Sequence, residues 1–192
     1  MTTENPIILL VDDSENDTLL MRITFENSGF VEPLRCVSDG EEAIAYLRGD
    51  GGYGDRTQFP FPTVVLLDLD MARKDGFDVL EWIRQRPGLT GLRVYILSAS
   101  GAAANIQRAY ALGANSYLVK PSNLDGLMHL AKCLVAWLKL SHFAPPTDGS
   151  EDPNPYQMRF FAMAGADSAQ PERANYNLGA ATPARPSRSE LR

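Results

Sequence analysis

The sequence is poor in the residues that form disulfides or bind soft metals. It contains two cysteines and two histidines among 192 residues, and Cys36 and Cys133 lie far apart along the chain. We therefore expect no disulfide and no zinc site, and a protein of a reducing compartment.

Basic residues and long apolar runs are also scarce. Eighteen Lys and Arg stand against 24 Asp and Glu, for a formal net charge of -6 at pH 7. Because binding to nucleic acid needs a clustered basic surface, DNA is not an expected partner. No apolar stretch approaches the ~18 residues of a membrane span, and the first residues lack the basic segment of a signal peptide. These absences predict a soluble, cytoplasmic protein with no membrane partner.

The chain does have a regular alternation of short apolar runs with helical patterns. Apolar residues make up 44% of the sequence, enough for the core of one domain. The alternation is typical of βα units around a parallel sheet that helices cover on both faces. Five apolar runs are predicted strands: Ile7–Val11, Leu34–Val37, Thr63–Leu67, Arg93–Leu97 and Ser116–Val119.

The predicted helices have recognisable starts and ends. Ser14 and Asp39 are residue types that cap helix N-termini. Gly29 and Gly113 follow helical patterns and are typical of helix ends. The first helix is predicted to run from Ser14 to a point before Gly29. The other four helices are predicted at Glu41–Arg48, Phe77–Gln85, Ala102–Leu112 and Leu124–Lys139.

Two segments do not fit this alternation. Gly49–Pro62 is rich in Gly and Pro and is predicted to be a long surface loop. From about Ala144 the composition shifts to Pro, Ala, Ser, Asn and Arg without sustained periodicity. We therefore predict one domain over residues 5–142 and a low-complexity, mostly disordered tail over residues 143–192.

Polar residues follow four of the predicted strands. Asp12 and Asp13 follow the first strand, Asp68 the third, Ser98 the fourth and Lys120 the fifth. The carboxyl ends of parallel strands meet at one edge of the sheet, where ligands of such folds bind. Three carboxylates held close together repel one another unless a cation neutralises them. Mg²⁺ suits this cluster, because it prefers oxygen ligands and leaves positions for phosphate oxygens.

This constellation predicts phosphoryl chemistry. Asp68 follows the central strand and is the predicted nucleophile, since aspartate carboxylates form aspartyl phosphates. Lys120 would balance the charge of the phosphoryl oxygens, and the Ser98 hydroxyl would donate a hydrogen bond to one of them.

Five segments carry a resemblance to a known family: ILLVDDSEND, VSDGEEAIAYL, VVLLDLDMARKDGFDVL, VYILSAS and ANSYLVKP. Their order and spacing resemble the receiver domains of two-component response regulators, over Asn5 to His142. The DGEEAIAYLRG segment, the Gly-rich loop and the AWL near the end of the last helix are especially similar to stand-alone, chemotaxis-receiver-like proteins that partner phytochrome-type histidine kinases. The resemblance implies an α/β fold with a doubly wound, flavodoxin-like sheet of strand order 2-1-3-4-5.

The resemblance also implies roles for the residues at the sheet edge. Asp68 would be the phosphoacceptor, and Asp12 and Asp13 would hold Mg²⁺ directly or through water. Asp70 would supply a backbone carbonyl to the same metal. Lys120 would contact the phosphoryl group.

Three further residues match the family's pattern, two of them at its switch positions. Ser98 takes the position of the switch hydroxyl, and Tyr117 that of the aromatic that turns inward on activation. Pro121 matches a proline that is typically cis. One departure is Met71-Ala72, where such receivers often have a proline, so the loop after Asp68 loses that restraint.

The implied function is that of a signalling protein without an external substrate. A sensor histidine kinase would donate the phosphoryl group, and the output would be altered binding to a downstream protein or phosphotransfer partner. A homodimer through the apolar face of Leu124–Lys139 is compatible with the sequence, and burial of that face inside the monomer is equally compatible.

Two alternatives belong to other functional classes. The segment LLDLD also matches the DxD motif of haloacid-dehalogenase-type phosphatases, with Asp70 as acid/base. In that family the acidic pair follows the DxD motif, whereas here Asp12-Asp13 precede it. A degenerate receiver that acts only as a binding module is the second alternative, and the intact Asp68, Ser98 and Lys120 weigh against it.

Overall fold

The protein is described here by a computed structural model over residues 6–30 and 32–141. Every strand or helix boundary predicted above lies within one residue of the observed one. The predicted tail, residues 143–192, lies outside the described residues. The strands and helices are β1 (Ile8–Val11), α1 (Glu15–Asn27), β2 (Arg35–Val37), α2 (Gly40–Arg48), β3 (Val64–Leu67), α3 (Gly76–Arg84), β4 (Arg93–Ser98), α4 (Ala103–Ala111), β5 (Ser116–Val119) and α5 (Leu124–Leu140).

The strands form one parallel sheet in the order β2-β1-β3-β4-β5. This confirms the predicted α/β fold and its strand order. The chain turns back across the sheet between β1 and β3, and the crevice outside such a reversal is where open α/β sheets bind ligands. We call the carboxyl ends of β1 and β3, with Asp12, Asp13 and Asp68 that follow them, the functional edge of the sheet.

The sheet has a hydrophobic core on each face because successive strand residues point to opposite sides. In β1, Leu9 belongs to the core that packs against α2, α3 and α4, whereas Leu10 belongs to the core under α1 and α5. Both side chains are completely buried. Strands covered on both faces read as continuous apolar runs, which is why they are visible in the sequence.

The last helix buries the apolar face that the sequence marked. The five residues of this face are all buried within the monomer. Their burial gives no support to the homodimer, which stays a prediction. In α1, Met21 and Phe25 are buried, whereas Leu19 and Ile23 are exposed at 57% and 42%. The buried residues of α5 are Leu127, Ala131, Leu134, Val135 and Leu138.

The Gly49–Pro62 segment is a surface loop, as predicted, with one short 3-10 turn at Gly51–Tyr53. Arg56 ties the loop to the end of α2, because its guanidinium donates to the carbonyl oxygens of Tyr46 at 2.8 Å and Leu47 at 2.9 Å. Within the described residues, no helix combines the length and apolar character needed to cross a membrane.

Candidate functional site

The functional edge is built by the register of the parallel strands. Val11 pairs with Leu67 and Leu67 pairs with Ile96, so β1, β3 and β4 end side by side. The residues that follow these strands therefore meet, although they are separated by tens of residues in the sequence. The amide of Asp68 donates to the carbonyl of Val11 at 2.9 Å and fixes the first of these junctions.

Lys120 lies at the centre of the site. Its ammonium Nζ donates to Asp12 Oδ2 at 2.7 Å, to Asp68 Oδ2 at 2.9 Å and to Asp17 Oδ2 at 3.1 Å. The Lys120 side chain is only 10% exposed, and the Asp12 carboxylate is fully buried. The Lys120 ammonium is a compact point charge, so it partly neutralises the three carboxylates that it contacts.

The other carboxylate oxygens accept backbone amides. Asp12 Oδ1 accepts from the amide of Ser14 at 3.0 Å, and Asp68 Oδ1 accepts from the amide of Leu69 at 2.7 Å. These bonds fix the two carboxylates because backbone donors cannot rotate away. The nucleophile predicted from the sequence is thus held in a single orientation.

The electrostatics of the site follow from burial against pairing. Burial raises the pKa of the Asp68 carboxyl above its usual value; the hydrogen bond from Lys120 opposes this effect, and the charge of Asp12 adds to it. Burial by itself lowers the pKa of the Lys120 ammonium, but its hydrogen bonds to Asp12 and Asp68 outweigh that effect and raise it. Lys120 is therefore charged at all physiological pH values.

Three carboxylates are close enough to share one ion. One oxygen each from Asp12, Asp13 and Asp68 lies within 4.8 Å of the others. An all-oxygen donor set with one exposed member suits a hard dication that keeps some of its water. The residues present therefore fit a divalent metal. Asp70, predicted to supply a carbonyl, lies in the same loop with an exposed side chain.

The predicted switch residues meet at Ser100. Ser98 is fully buried, and its Oγ accepts from the amide of Ser100 at 3.1 Å. The Tyr117 hydroxyl donates to the carbonyl of Ser100 at 2.7 Å, with its ring half-buried against the core. The backbone of Ser100 therefore connects the two side chains.

One sequence expectation is corrected and another is refined. No cis peptide bond occurs in the described part of the chain, so the Lys120–Pro121 bond is trans and the predicted cis proline is wrong. The trans isomer is the lower in energy by about 0.5–1 kcal/mol for a bond before proline. At the Met71-Ala72 departure, the Ala72 amide donates to Asp13 Oδ2 at 2.9 Å. A proline has no N–H and could not make this contact.

Two residues that contact the site escaped the sequence reasoning. Asp17 is the third residue of α1 and its carboxylate contacts Lys120. The Ser14 cap predicts that Asp17 lies in the first turn of the helix, but it does not predict the contact with Lys120. Gly76 lies behind Asp68, because a Cβ added at this glycine would lie 2.1 Å from the Asp68 carbonyl oxygen. No local sequence pattern predicts this close approach of Gly76 to the Asp68 backbone.

Known proteins are similar to this chain in sequence. The family model described as "Response regulator receiver domain" matches residues 8–132. The response regulator Rcp1 of Synechocystis sp. is 34% identical over 134 residues, which are 69% of this chain and 89% of Rcp1. These matches favour the receiver over both alternatives, the phosphatase and the degenerate binding module.

Solved structures of response regulators are also similar to this chain. A response regulator in red light signalling of R. palustris has a TM-score of 0.69 and 36% identity, covering 72% of this chain and 98% of that one. The phosphorylated cyanobacterial phytochrome response regulator RcpA has a TM-score of 0.67 and 34% identity, covering 73% and 99%. The Mn²⁺-bound form of Rcp1 has a TM-score of 0.65 and 33% identity, covering 72% and 99%. The chain belongs to the response regulator receiver domains, the signalling proteins that accept phosphoryl groups in two-component systems.

Proposed function

We propose that Asp68 accepts the phosphoryl group from a sensor histidine kinase and that this protein then signals by a changed affinity for a downstream protein. One observation supports the assignment to Asp68 above all others. Its carboxylate lies at the buried end of the central strand, 2.9 Å from the Lys120 ammonium and beside the carboxylates of Asp12 and Asp13. Nucleophile, cation and metal ligands are thus within reach of one phosphorus atom.

In the proposed transfer, a carboxylate oxygen of Asp68 attacks phosphorus and forms the new P–O bond. The P–N bond of the kinase phosphohistidine breaks, and the imidazole nitrogen leaves with the electron pair. Lys120 keeps its proton and stabilises the charge on the equatorial oxygens, as positioned cations do in phosphoryl transfer. Asp68 needs no general base because it reacts as the anion.

The proposed metal is Mg²⁺, held by Asp12, Asp13, Asp68 and the backbone carbonyl of Asp70. A dication supplies charge neutralisation between the carboxylates and the incoming phosphoryl oxygens. The donor chemistry of the three carboxylates supports this assignment. The Mn²⁺-bound form of Rcp1 supports a divalent metal in a relative.

The proposed output begins at Ser98. Its Oγ now accepts the Ser100 amide, so its own hydroxyl proton is the donor that a phosphoryl oxygen would recruit. A shift of Ser98 toward Asp68 would move the Ser100 backbone and with it the carbonyl that holds Tyr117. We propose that this movement reshapes the surface of α4, β5 and α5.

The proposed kinase is of the phytochrome type. This part of the proposal rests on relatives described as a phytochrome response regulator and as a response regulator in red light signalling. The proposed chemistry is limited to acceptance and loss of the protein's own phosphoryl group, without an external substrate.

Intact mass spectrometry tests the phosphoacceptor. Wild type incubated with Mg²⁺ and acetyl phosphate should gain one phosphoryl adduct, and Asp68→Asn should gain none because the amide is not a nucleophile. Asp70→Asn is the matched control, since it removes a carboxylate two residues away and should keep the adduct. An adduct on Asp68→Asn, or none on wild type, would contradict the proposal.

The Ser98→Ala variant tests the switch. It should still be phosphorylated, because Asp68, Lys120 and the metal ligands are intact, but the NMR signals of the Tyr117 ring should stop responding to phosphorylation. Ser100→Ala keeps the backbone amide and carbonyl that contact Ser98 and Tyr117, so its Tyr117 signals should respond as in wild type. A full Tyr117 response in Ser98→Ala would refute the coupling.

A further inference from the structure

Asp17 is the least expected partner of Lys120. Its Oδ2 lies 3.1 Å from the Lys120 Nζ, and its side chain is 44% exposed whereas Asp12 is fully buried. The helix fixes its place, because the Asp17 amide donates to the Ser14 Oγ at 3.2 Å in the N-terminal cap. The contact joins the first turn of α1 to the end of β5 across 103 residues of sequence.

The three carboxylates around Lys120 differ in what else they can bind. Asp12 and Asp68 belong to the group whose oxygens can share one metal ion, and Asp68 is also the proposed phosphoacceptor. Asp17 is outside that group. When a metal and a phosphoryl group engage Asp12 and Asp68, Asp17 is the one carboxylate still free to hold the ammonium.

We propose that Asp17 is a positioning residue for phosphoryl transfer, which holds the Lys120 ammonium by one N–H and leaves the other two N–H groups for phosphoryl oxygens. This inference rests on the proposed function of Asp68 and Lys120. An ammonium has three donors on a flexible four-carbon chain, so a fixed carboxylate behind it restricts where the charge points. Restricting a catalytic group in this way raises the rate without a new contact to the substrate.

A purely electrostatic or helix-capping role makes a different prediction. Any acidic side chain in the first turn of α1 favours the positive end of the helix and adds negative charge near the site. Glu15 lies in that same turn, two residues before Asp17, and is exposed. No hydrogen bond or ion pair between Glu15 and Lys120 occurs in the described part of the chain. Glu15→Ala is therefore the matched control for Asp17→Ala.

The experiment measures binding of beryllofluoride, a phosphoryl mimic, by calorimetry in saturating Mg²⁺, together with the rate of phosphorylation by acetyl phosphate. Asp17→Ala should weaken beryllofluoride binding and slow phosphorylation by about tenfold each, because the ammonium is no longer held. Glu15→Ala should change each by less than about twofold. Asp17→Asn, which keeps an oxygen acceptor, should fall between wild type and Asp17→Ala.

A double-mutant cycle with Lys120→Met isolates the contact. If Asp17 acts through Lys120, Asp17→Ala should cause no further loss of beryllofluoride affinity in the Lys120→Met background. The Mg²⁺ dissociation constant of Asp17→Ala should match that of Glu15→Ala, since Asp17 does not belong to the metal-binding group.

Three results would overturn the inference: equal losses in Asp17→Ala and Glu15→Ala, no loss in Asp17→Ala, or the same loss in both backgrounds of the cycle. Wild type that neither binds beryllofluoride nor accepts a phosphoryl group would instead refute the proposed function of the site. Urea unfolding of each variant separates loss of folding from loss of positioning, and Asp17→Asn keeps the test open if Asp17→Ala does not fold.

Discussion

The functional edge and the Gly49–Pro62 loop solve opposite electrostatic problems. At the edge, Lys120 is the one cation among the described residues that pairs with Asp12, Asp17 and Asp68. In the loop, the cation Arg56 donates to three neutral backbone carbonyl oxygens, including that of Phe59 at 3.3 Å. The edge holds more negative charge than Lys120 balances, whereas the loop places a positive guanidinium against carbonyl dipoles.

The difference separates residues kept for function from residues kept for stability. Buried like charges destabilise a fold, and proteins retain them where chemistry or metal binding requires them. Hydrogen bonds to carbonyls at the end of a helix have no chemical role and stabilise the chain by satisfying polar groups. Changes at the edge should therefore alter phosphorylation, and changes in the loop should alter stability alone.

The largest effect is expected from Gly76→Ala behind the functional edge. A Cβ there would lie 2.1 Å from the Asp68 carbonyl oxygen, so the backbone that carries the phosphoacceptor must move. We expect a loss of about 4 kcal/mol in the free energy of unfolding by urea, together with loss of the phosphoryl adduct. Gly52→Ala in the loop is the control, because nothing lies within 4 Å of its added Cβ. A Gly76→Ala protein as stable and active as Gly52→Ala would break the comparison.

A smaller effect is expected from Arg56→Ala in the loop. The substitution removes the donors of three carbonyl oxygens at the end of α2 and in the loop. We expect a loss of about 2 kcal/mol in the free energy of unfolding and an unchanged rate of phosphorylation by acetyl phosphate. Arg48→Ala removes an exposed ion pair with Asp50 and should cost less than about 0.5 kcal/mol. Slower phosphorylation in Arg56→Ala would show that the loop is coupled to the functional edge.

The smallest effect, and the one of opposite sign, is expected from Asp68→Asn without metal. Burial raises the folded-state pKa of Asp68 above its unfolded value of about 3.8. The stability that the protonated carboxyl provides is therefore fully present below the unfolded pKa and is lost as the pH rises through the folded pKa. Asp68→Asn removes this loss, so it should be more stable than wild type by about 1 kcal/mol at pH 7, and the difference should shrink toward pH 4.

The Asp70→Asn variant is the control for this measurement, because its side chain is exposed and its stability should match that of wild type within about 0.5 kcal/mol at both pH values. Urea titrations of wild type, Asp68→Asn and Asp70→Asn, with a chelator present to remove metal, give the free energy of unfolding of each protein. A destabilised Asp68→Asn would show that the Lys120 pairing outweighs burial at Asp68.

The sequence alone determined the strands, the helices and the main members of the candidate site. A strand covered on both faces must be apolar throughout, so β1, β3 and β4 stand out as runs. Residues that follow such strands must meet at one edge, which is why Asp12, Asp68 and Lys120 were predictable as neighbours. Both inferences rest on the periodicity of apolar residues and on the order of the strands and helices, and both can be read directly from the sequence.

Only the tertiary structure decided the contacts that depend on side-chain direction and close approach. The pairing of Asp17 with Lys120 and the approach of Gly76 to Asp68 each join segments that no local pattern relates. The Ala72 amide on Asp13 likewise depends on how one loop folds over another. A sequence pattern records which face a residue is on, whereas a distance of 3 Å depends on how the elements pack together.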